Sequence, residues 1–293
     1  MNFFDLHADT PLVLDSNNPK SSVVDLSSHP FQEYKQVMAI FLNEDLVNPV
    51  DAYNRRMKLI KSHLKDCNFP FLNQEFKSSC GALLSVENAG FLANDIEFLL
   101  KLKDDGISFL SLTWNNDNLL ASGANGDGGI TQKGKDVIKF MNEIGIALDI
   151  SHLSHKAAME GICLADRVLA SHSAIFTLNP HSRNIKDETL LSLKQKNGII
   201  GLCLYPLFLG GDDVAERLAD SAEYLVNLGL ENNIAIGTDF DGADMAFSVS
   251  KTDHISSVFN TFCRRGFEKS TVEAIFYENA IAFFNKICEN KLL

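Results

Sequence analysis

Eight short apolar segments recur along the chain, and a stretch with helical periodicity separates each one from the next. Segments of this length, rich in Val, Ile, Leu and Phe, are typical of strands that are buried on both faces. They cover residues 3–7, 37–42, 81–86, 107–113, 146–150, 167–171, 199–205 and 234–238. Eight parallel strands that alternate with helices predict an α/β fold, a closed (β/α)8 barrel.

The segments between the strands carry apolar residues at steps of three and four, which places them on one face of a helix. The clearest such stripe consists of Tyr53, Met57, Ile60 and Leu64. Residues 252–262 and 272–284 are predicted to be closing helices, and the polar, glycine-rich residues 115–129 a long, mobile loop. A doubly wound open sheet is the alternative, but it usually has fewer strands, and this chain has no glycine-rich phosphate loop. No linker divides the chain, so we expect residues 1–293 to form one domain.

The balance of charges argues against two classes of partner. The 293 residues include 38 Asp and Glu but only 26 Lys and Arg, so the net charge is −12. Nucleic acids and anionic membranes bind basic surfaces, so we expect neither as a partner. The sequence has no apolar run of roughly 20 residues that could cross a bilayer, and residues 1–9 do not resemble a signal peptide. Six scattered cysteines are typical of reduced thiols, which favours a cytoplasmic location.

Several predicted strands end in a residue of a type that binds metal ions. In barrels of this kind the carboxyl ends of the strands carry the active site. His7 and Asp9 are two residues apart, so their side chains lie on the same face of an extended chain. Six such residues should therefore converge on one rim: His7, Asp9, Glu87, His152, His172 and Asp239.

The composition of this set indicates two metal ions rather than one. Three imidazoles and three carboxylates exceed what one tetrahedral zinc ion binds, and they suit two metals bridged by a carboxylate. Burying these groups together without cations would be costly. A set without thiolates fits zinc, with manganese, cobalt or iron as alternatives.

Other polar residues near the strands have structural interpretations. Four histidines do not lie at strand ends and are predicted to be surface or capping residues: His29, His63, His155 and His254. His181, in the loop after His172, is also predicted to be structural. Asp5 and Asp149 lie within strands just before ligands, where each either supports a histidine or accepts hydrogen bonds from the backbone.

Seven segments of the chain together resemble the membrane dipeptidase (renal dipeptidase) family, peptidase family M19. They are DLHADT (5–10), LLSVEN (83–88), LTWNNDN (112–118), DGGITQKGKDVIKFMNEIGIALDISHLS (127–154), ASHSA (170–174), HSRNIKDE (181–188) and GTDFDG (237–242). The resemblance runs in order through nearly the whole chain, and its blocks are specific in combination. It implies a binuclear zinc enzyme that hydrolyses dipeptides, similar to the compact soluble bacterial members, and it implies a homodimer.

Position by position, the resemblance implies a role for each candidate. It implies two ligand pairs with a bridging carboxylate: His7 with Asp9, His152 with His172, and Glu87 between the pairs. Asp239 matches the acid that holds the attacking water and handles its proton. Arg183 matches the arginine that binds the terminal carboxylate of the substrate, a contact suited to the guanidinium fork. Tyr205 stands where the family has a tyrosine that contacts the substrate.

Trp114 departs from the family pattern. Well-known members have a histidine at this position, after Leu-Thr at the fourth strand, and that histidine contacts the scissile group. Indole can donate one hydrogen bond but cannot accept a proton or carry charge. We therefore expect Trp114 to be a substrate contact that gives weaker or different help to the developing oxyanion. Asn88, after Glu87, stands where glycine is frequent.

The expected function is hydrolysis of dipeptides, including those with a C-terminal D-residue, by a hydroxide that bridges two Zn²⁺ ions, with Mn²⁺ or Co²⁺ as alternatives. A second hypothesis is a related metal-dependent hydrolase acting on another small amide, an N-acyl amino acid or a lactone. The first ligand motif is His-x-Asp, formed by His7 and Asp9, rather than His-x-His. This difference argues against barrels of the phosphotriesterase type. A third hypothesis is an inactive metal-binding barrel.

Overall fold

The computed structural model describes residues 1–72 and 78–289. Within these ranges, eight parallel strands form a closed barrel in chain order. The strands are β1 (Phe3–Ala8), β2 (Tyr34–Phe41), β3 (Cys80–Glu87), β4 (Ile107–Ser111), β5 (Ala147–Asp149), β6 (Val168–Ser173), β7 (Ile199–Leu202) and β8 (Ile234–Ile236). Asp5 of β1 pairs with Ile236 of β8, which closes the barrel. The predicted (β/α)8 architecture is confirmed.

Helices follow the strands around the barrel. Those in the described part of the chain are α1 (Thr10–Leu14), α2 (Pro49–Asp66), α3 (Phe98–Asp104), α4 (Gln132–Ile144), α5 (His155–Leu164), α6 (Asp187–Gln195), α7 (Pro206–Leu209), α8 (Val214–Asn227), α9 (Ile255–Arg264), α10 (Lys269–Glu273) and α11 (Asn279–Glu289). The predicted stripe on α2 is buried along its whole length. The helix predicted over residues 272–284 is interrupted by a π-helical turn at Ala274–Glu278, between α10 and α11.

Apolar side chains fill the amino-terminal half of the barrel interior. Phe4, Leu6 and Phe109 are buried there and belong to one cluster with Phe284 of α11. The rings of Phe4 and Phe284 stack with their centroids 5.2 Å apart. Because α11 closes this end, the polar residues at the strand ends are left at the opposite rim.

The long segment after β4 is held in place by its own side chains. Asp117 accepts hydrogen bonds from Ser122 Oγ at 2.6 Å and from the Gly123 amide at 3.1 Å. The Ala124 amide donates to the carbonyl oxygen of His152 at 2.8 Å. The segment is as long as predicted, but these bonds tie it to the chain after β5. The expectation of a mobile loop rested on its glycine content and did not include these contacts.

The cysteines for which the structure describes a side chain are free thiols: Cys67, Cys80, Cys163, Cys203 and Cys263. The side chain of Cys288 lies outside the described residues. Among the described helices, none combines the length and the apolar character that a bilayer span requires.

Candidate active site

The six predicted ligands come together at the carboxyl-terminal rim of the barrel, and all of them are buried. They form three overlapping groups, and within each group the ligand atoms lie within 4.8 Å of one another. The groups are His7, Asp9 and Glu87; Glu87, His152 and His172; and His7, His172 and Asp239. The convergence expected from the strand ends is therefore present in the fold.

Glu87 stands between two of the histidines. Its Oε2 atom lies 3.2 Å from His7 Nε2, and its Oε1 atom lies 2.9 Å from His152 Nε2. Burial alone would raise the pKa of Glu87, but the contact with His7, whose own pKa is raised by the carboxylates around it, holds the pKa of Glu87 well below its usual value. A charged carboxylate with one oxygen towards each histidine has the geometry of a bridging ligand.

Hydrogen bonds at Nδ1 of His152 and of His172 determine which ring nitrogen faces the ligand cluster. Asn115 Oδ1 lies 2.9 Å from His152 Nδ1, and because an amide oxygen only accepts, the proton is on Nδ1. Ser171 Oγ donates to Asp149 at 2.5 Å. The same hydroxyl therefore accepts from His172 Nδ1, which is 2.8 Å away.

The inward nitrogens of these two rings consequently both carry lone pairs. His152 Nε2 and His172 Nε2 lie only 2.8 Å apart. Burial lowers the pKa of His152 to about 4 and that of His172 well below its usual value, so neither ring carries a second proton. Asp9 Oδ1 is also buried and has no hydrogen-bond partner among the described residues. Acceptors crowded in this way need a cation, and the donor set fits divalent metal ions such as zinc.

Two acids of the cluster have raised pKa values. Burial raises the pKa of Asp239 to about 7 and that of Asp9 to about 6. Asp239 Oδ1 lies 4.0 Å from His7 Nε2. A carboxyl group that exchanges its proton near neutral pH is suited to general acid and base chemistry.

Gly242 leaves the space in which these two acids meet. A Cβ atom at Gly242 would lie 2.1 Å from Asp9 Oδ2 and 2.7 Å from Asp239 Oδ1. Both distances are too short for any non-bonded contact. The position therefore requires glycine if both carboxylates are to keep their places.

Four non-glycine residues of this rim have a left-handed backbone. The φ angle is 64° at Asn88, 71° at His152, 63° at Asp239 and 66° at Asp241. Such angles are uncommon outside glycine and cluster at functional sites. Asparagine is among the residues that tolerate such an angle, which fits Asn88.

The acids within β1 and β5 bind backbone groups. Asp5 accepts from the amide of His7 at 3.2 Å, and Asp149 accepts from the amide of Ser171 at 3.0 Å. Because Asp149 also holds the Ser171 hydroxyl that contacts His172, it supports that ring indirectly. The sequence left two interpretations open for these acids: acceptance of backbone hydrogen bonds or support of a histidine. Both acids accept backbone hydrogen bonds, and Asp149 also supports a histidine.

The ligands open onto a cavity of about 580 Å³, which Arg183, Tyr205 and Trp114 also line. Arg183 is buried, and its Nη2 donates to the carbonyl oxygen of His172 at 3.2 Å. The guanidinium carbon lies 5.2 Å from the centroid of the Phe208 ring. Its Nε atom has no partner within the described residues. A buried guanidinium with an open donor suits a carboxylate ligand.

His181 combines a structural position with a place in the cavity lining. Its Nδ1 accepts from the amide of Arg183 at 3.2 Å, and its ring centroid lies 4.9 Å from that of Phe208. These contacts fit the structural interpretation made from the sequence, because they hold the loop that carries Arg183.

Sequence reasoning missed Asn115 and Ser171, which fix the orientation of two histidines. Each is the immediate neighbour of a residue that was singled out, Trp114 and His172 respectively. Adjacency was the only signal available, because the partner ring of Asn115 is 37 residues away along the chain.

The chain is similar to known proteins in both sequence and fold. The chain matches the family model of membrane dipeptidases (peptidase family M19) over residues 32–292, so His7 and Asp9 precede the matched part. It is 26% identical over 256 residues to dipeptidase tcpJ of Claviceps purpurea. That alignment covers 83% of this chain but 60% of the fungal protein, so the chain spans about three-fifths of that relative's length.

Two solved structures share the fold over nearly their whole length. Dipeptidase AC, a metallopeptidase of family M19, has a TM-score of 0.83 at 20% identity and covers 97% of this chain and 98% of its own. A metallopeptidase from Rhodobacter sphaeroides, solved with a phosphinate mimic of the dipeptide L-Ala-D-Ala, has a TM-score of 0.82 at 18% identity, with 98% and 99% covered. At these identities the likeness shows the fold, and the match of the family model over most of the sequence shows the family. The chain belongs to the membrane dipeptidase family, peptidase family M19.

Proposed function

We propose that the protein is a binuclear zinc dipeptidase. The observation that carries this proposal is the position of Glu87, whose two carboxylate oxygens face His7 and His152. One metal ion would be held by His7 and Asp9 and the other by His152 and His172, with Glu87 shared between them. Zinc suits this set of imidazoles and carboxylates, with Mn²⁺ or Co²⁺ as alternatives.

Asp239 handles the proton in the proposed reaction. The metal pair, when bound, polarises the peptide carbonyl and lowers the pKa of water so that water attacks at neutral pH. Asp239 accepts a proton from the attacking water and donates it to the nitrogen of the leaving amine, so the carboxylate is regenerated. Its Oδ1 atom lies 4.0 Å from His7 Nε2, which supports a role beside a water molecule held in the cluster.

Arg183 would bind the terminal carboxylate of the substrate. Its buried guanidinium, whose Nε donor is unpaired within the described part of the chain, lies on a wall of the same cavity as Tyr205, which we propose as a further substrate contact. Recognition of a free carboxylate this close to the ligand cluster would limit cleavage to the bond before the C-terminal residue. A free amino group held at the second metal ion would exclude longer peptides. The L-Ala-D-Ala mimic bound by the Rhodobacter protein supports acceptance of a D-residue at the C-terminal position.

The test is hydrolysis of a panel of L-L and L-D dipeptides and of matched tripeptides by the zinc-loaded protein, with and without chelator. We expect cleavage of the dipeptides only, lost with chelator and restored by zinc. Glu87→Gln should lose bound metal and activity together. Cleavage that persists after metal analysis finds no metal would contradict the proposal. No cleavage with zinc, manganese or cobalt would redirect the search to N-acyl amino acids and lactones.

A further inference from the structure

Apolar side chains line the cavity on both sides of the ligand cluster, and Arg183 places a cation on one of them, beside Tyr205 and Phe208. In a closed barrel of eight strands, β2 lies across from β6. Arg183 follows β6, and Phe41 is the last residue of β2. Beside Phe41, the cavity is lined by Leu12, which follows β1, and by Trp114, which follows β4. The side of the cavity away from Arg183 therefore carries a group of three apolar side chains, which we call the apolar wall.

Two aromatic rings make up most of the apolar wall. The ring centroids of Phe41 and Trp114 lie 5.4 Å apart, with their planes inclined at 54°. The Trp114 ring lies 6.2 Å from the ring of His152, so the indole reaches the edge of the ligand cluster. Both side chains are only half-buried, which leaves apolar surface open to the cavity.

The position of the apolar wall relates it to one end of a substrate. If the terminal carboxylate binds Arg183 and the scissile carbonyl lies at the ligand cluster, the N-terminal residue extends beyond the cluster. That direction leads towards Phe41 and Trp114. A cavity of about 580 Å³ lies within the usual size range of small-molecule sites, roughly 300–1,000 Å³, and has room for a large side chain there.

We propose that Leu12, Phe41 and Trp114 bind the side chain of the N-terminal residue, and that the enzyme prefers dipeptides in which this side chain is large and apolar. The inference rests on the proposed function, because the position of Arg183 orients the substrate. Trp114 is then a residue that determines specificity through apolar contact rather than a hydrogen-bonding group for the oxyanion.

The first test is the kcat/KM of the zinc-loaded protein for dipeptides X-Ala, where X is Leu, Phe, Ser or Asp. We expect Leu-Ala and Phe-Ala to be cleaved about 10- to 100-fold better than Ser-Ala and Asp-Ala, the range of discrimination that apolar pockets give. Trp114→Ala and Phe41→Ala should each lower the ratio of Leu-Ala to Ser-Ala several-fold. Leu119→Ala is the matched control, because Leu119 is exposed in the same segment and does not line the cavity. It should preserve the ratio.

The second test uses the fluorescence of Trp114, which is the only tryptophan in the sequence. Titration of the zinc-loaded Asp239→Asn protein, which should bind dipeptides but turn them over slowly, with Leu-Ala should shift the emission to shorter wavelength, and Ser-Ala should shift it less. Trp114→Phe keeps an apolar ring and should retain a clear kinetic preference for Leu-Ala. This variant keeps the kinetic test decisive if Trp114→Ala does not fold.

The two proposals fail in different ways. Equal kcat/KM for Leu-Ala and Ser-Ala, or a ratio that Trp114→Ala and Phe41→Ala both leave unchanged, would overturn the apolar wall while dipeptidase activity stands. Absence of any dipeptide cleavage would contradict the proposed function instead. In that case a larger emission shift with Leu-Ala than with Ser-Ala still supports the proposal that the apolar wall binds apolar side chains. Equal shifts would overturn that proposal.

Discussion

The side-chain oxygen of Asn115 lies 2.9 Å from Nδ1 of His152. This contact keeps the proton on Nδ1 and leaves Nε2 free to face Glu87, whose Oε1 lies 2.9 Å away. Asn115 follows β4 and His152 follows β5, so the hydrogen bond also joins two neighbouring strand ends. A residue that binds no metal itself thus determines how a proposed ligand is presented.

Asn115→Ala should lower zinc affinity about 10- to 100-fold, the usual cost of losing such a supporting contact. Asn115→Asp retains an acceptor and should keep most of the affinity. Asn116→Ala is the control, because Asn116 is exposed and bonds to Glu44 instead. Competition with a chelating indicator measures the affinity. An unchanged value in Asn115→Ala would mean that the His152 ring does not depend on this contact.

Asp239→Asn should keep both metal ions and lower kcat by about 10² to 10⁴, because an amide cannot accept and return the proton. Metal content by elemental analysis and kcat for a cleaved dipeptide check the two parts separately. Asp244→Asn is the matched control, since Asp244 lines the same cavity but is exposed at its edge. Near-normal turnover in Asp239→Asn would remove Asp239 from the proton pathway.

The fold and the ligand cluster could be predicted from the sequence because both follow from strand order. Residues at the carboxyl ends of parallel strands must meet at one rim, so His7, Glu87 and His172 needed no further information to be placed together. The contacts behind the rings could not be predicted in this way. Asn115 reaches His152 only because its segment folds back onto the end of β5 through bonds such as that of Ala124.

The backbone strain at the site is another feature that the sequence does not reveal. Histidine and aspartate adopt a positive φ more often than most residue types, but in most places they do not, so residue type alone did not predict the angle at His152 and Asp239. At Asn88 the family resemblance indicated only a departure from glycine at a turn, and the structure shows that the backbone there is left-handed. Local conformation was therefore not predictable from residue type at these positions.

Arg183→Ala should raise KM for dipeptides at least tenfold, because the terminal carboxylate loses a charged, hydrogen-bonded partner. Arg183→Lys should recover only part of this loss, since an ammonium group cannot make the bidentate contact. A substrate control separates binding from folding: the ratio of kcat/KM for Leu-Ala to that for its C-terminal amide should be large in the unmodified protein and small in Arg183→Ala. An unchanged ratio would place the carboxylate elsewhere.

Gly242→Ala should lower both metal content and kcat/KM at least tenfold. The added methyl group would overlap Asp9 Oδ2 and Asp239 Oδ1, and crowding of this kind typically costs about 1–3 kcal/mol as neighbours move apart. Gly211→Ala is the control, because a Cβ atom there meets only Arg217 Nε, at an ordinary 3.5 Å. Full activity in Gly242→Ala would show that Asp9 and Asp239 need not be held in this arrangement.

Removal of metal should lower the melting temperature, because ligands that crowd around a cation repel one another without it. A metal ion present at 100 times its Kd stabilises the folded state by about 2.7 kcal/mol, so two ions contribute roughly 5 kcal/mol. For a chain of this length, that corresponds to a decrease of roughly 10 °C in Tm. Calorimetry before and after chelation, and again after zinc is restored, measures the change. Glu87→Gln, which weakens the proposed shared ligand, should show a much smaller chelator effect. A Tm that stays constant while elemental analysis records the loss of metal would mean that the cluster does not need cations to remain folded.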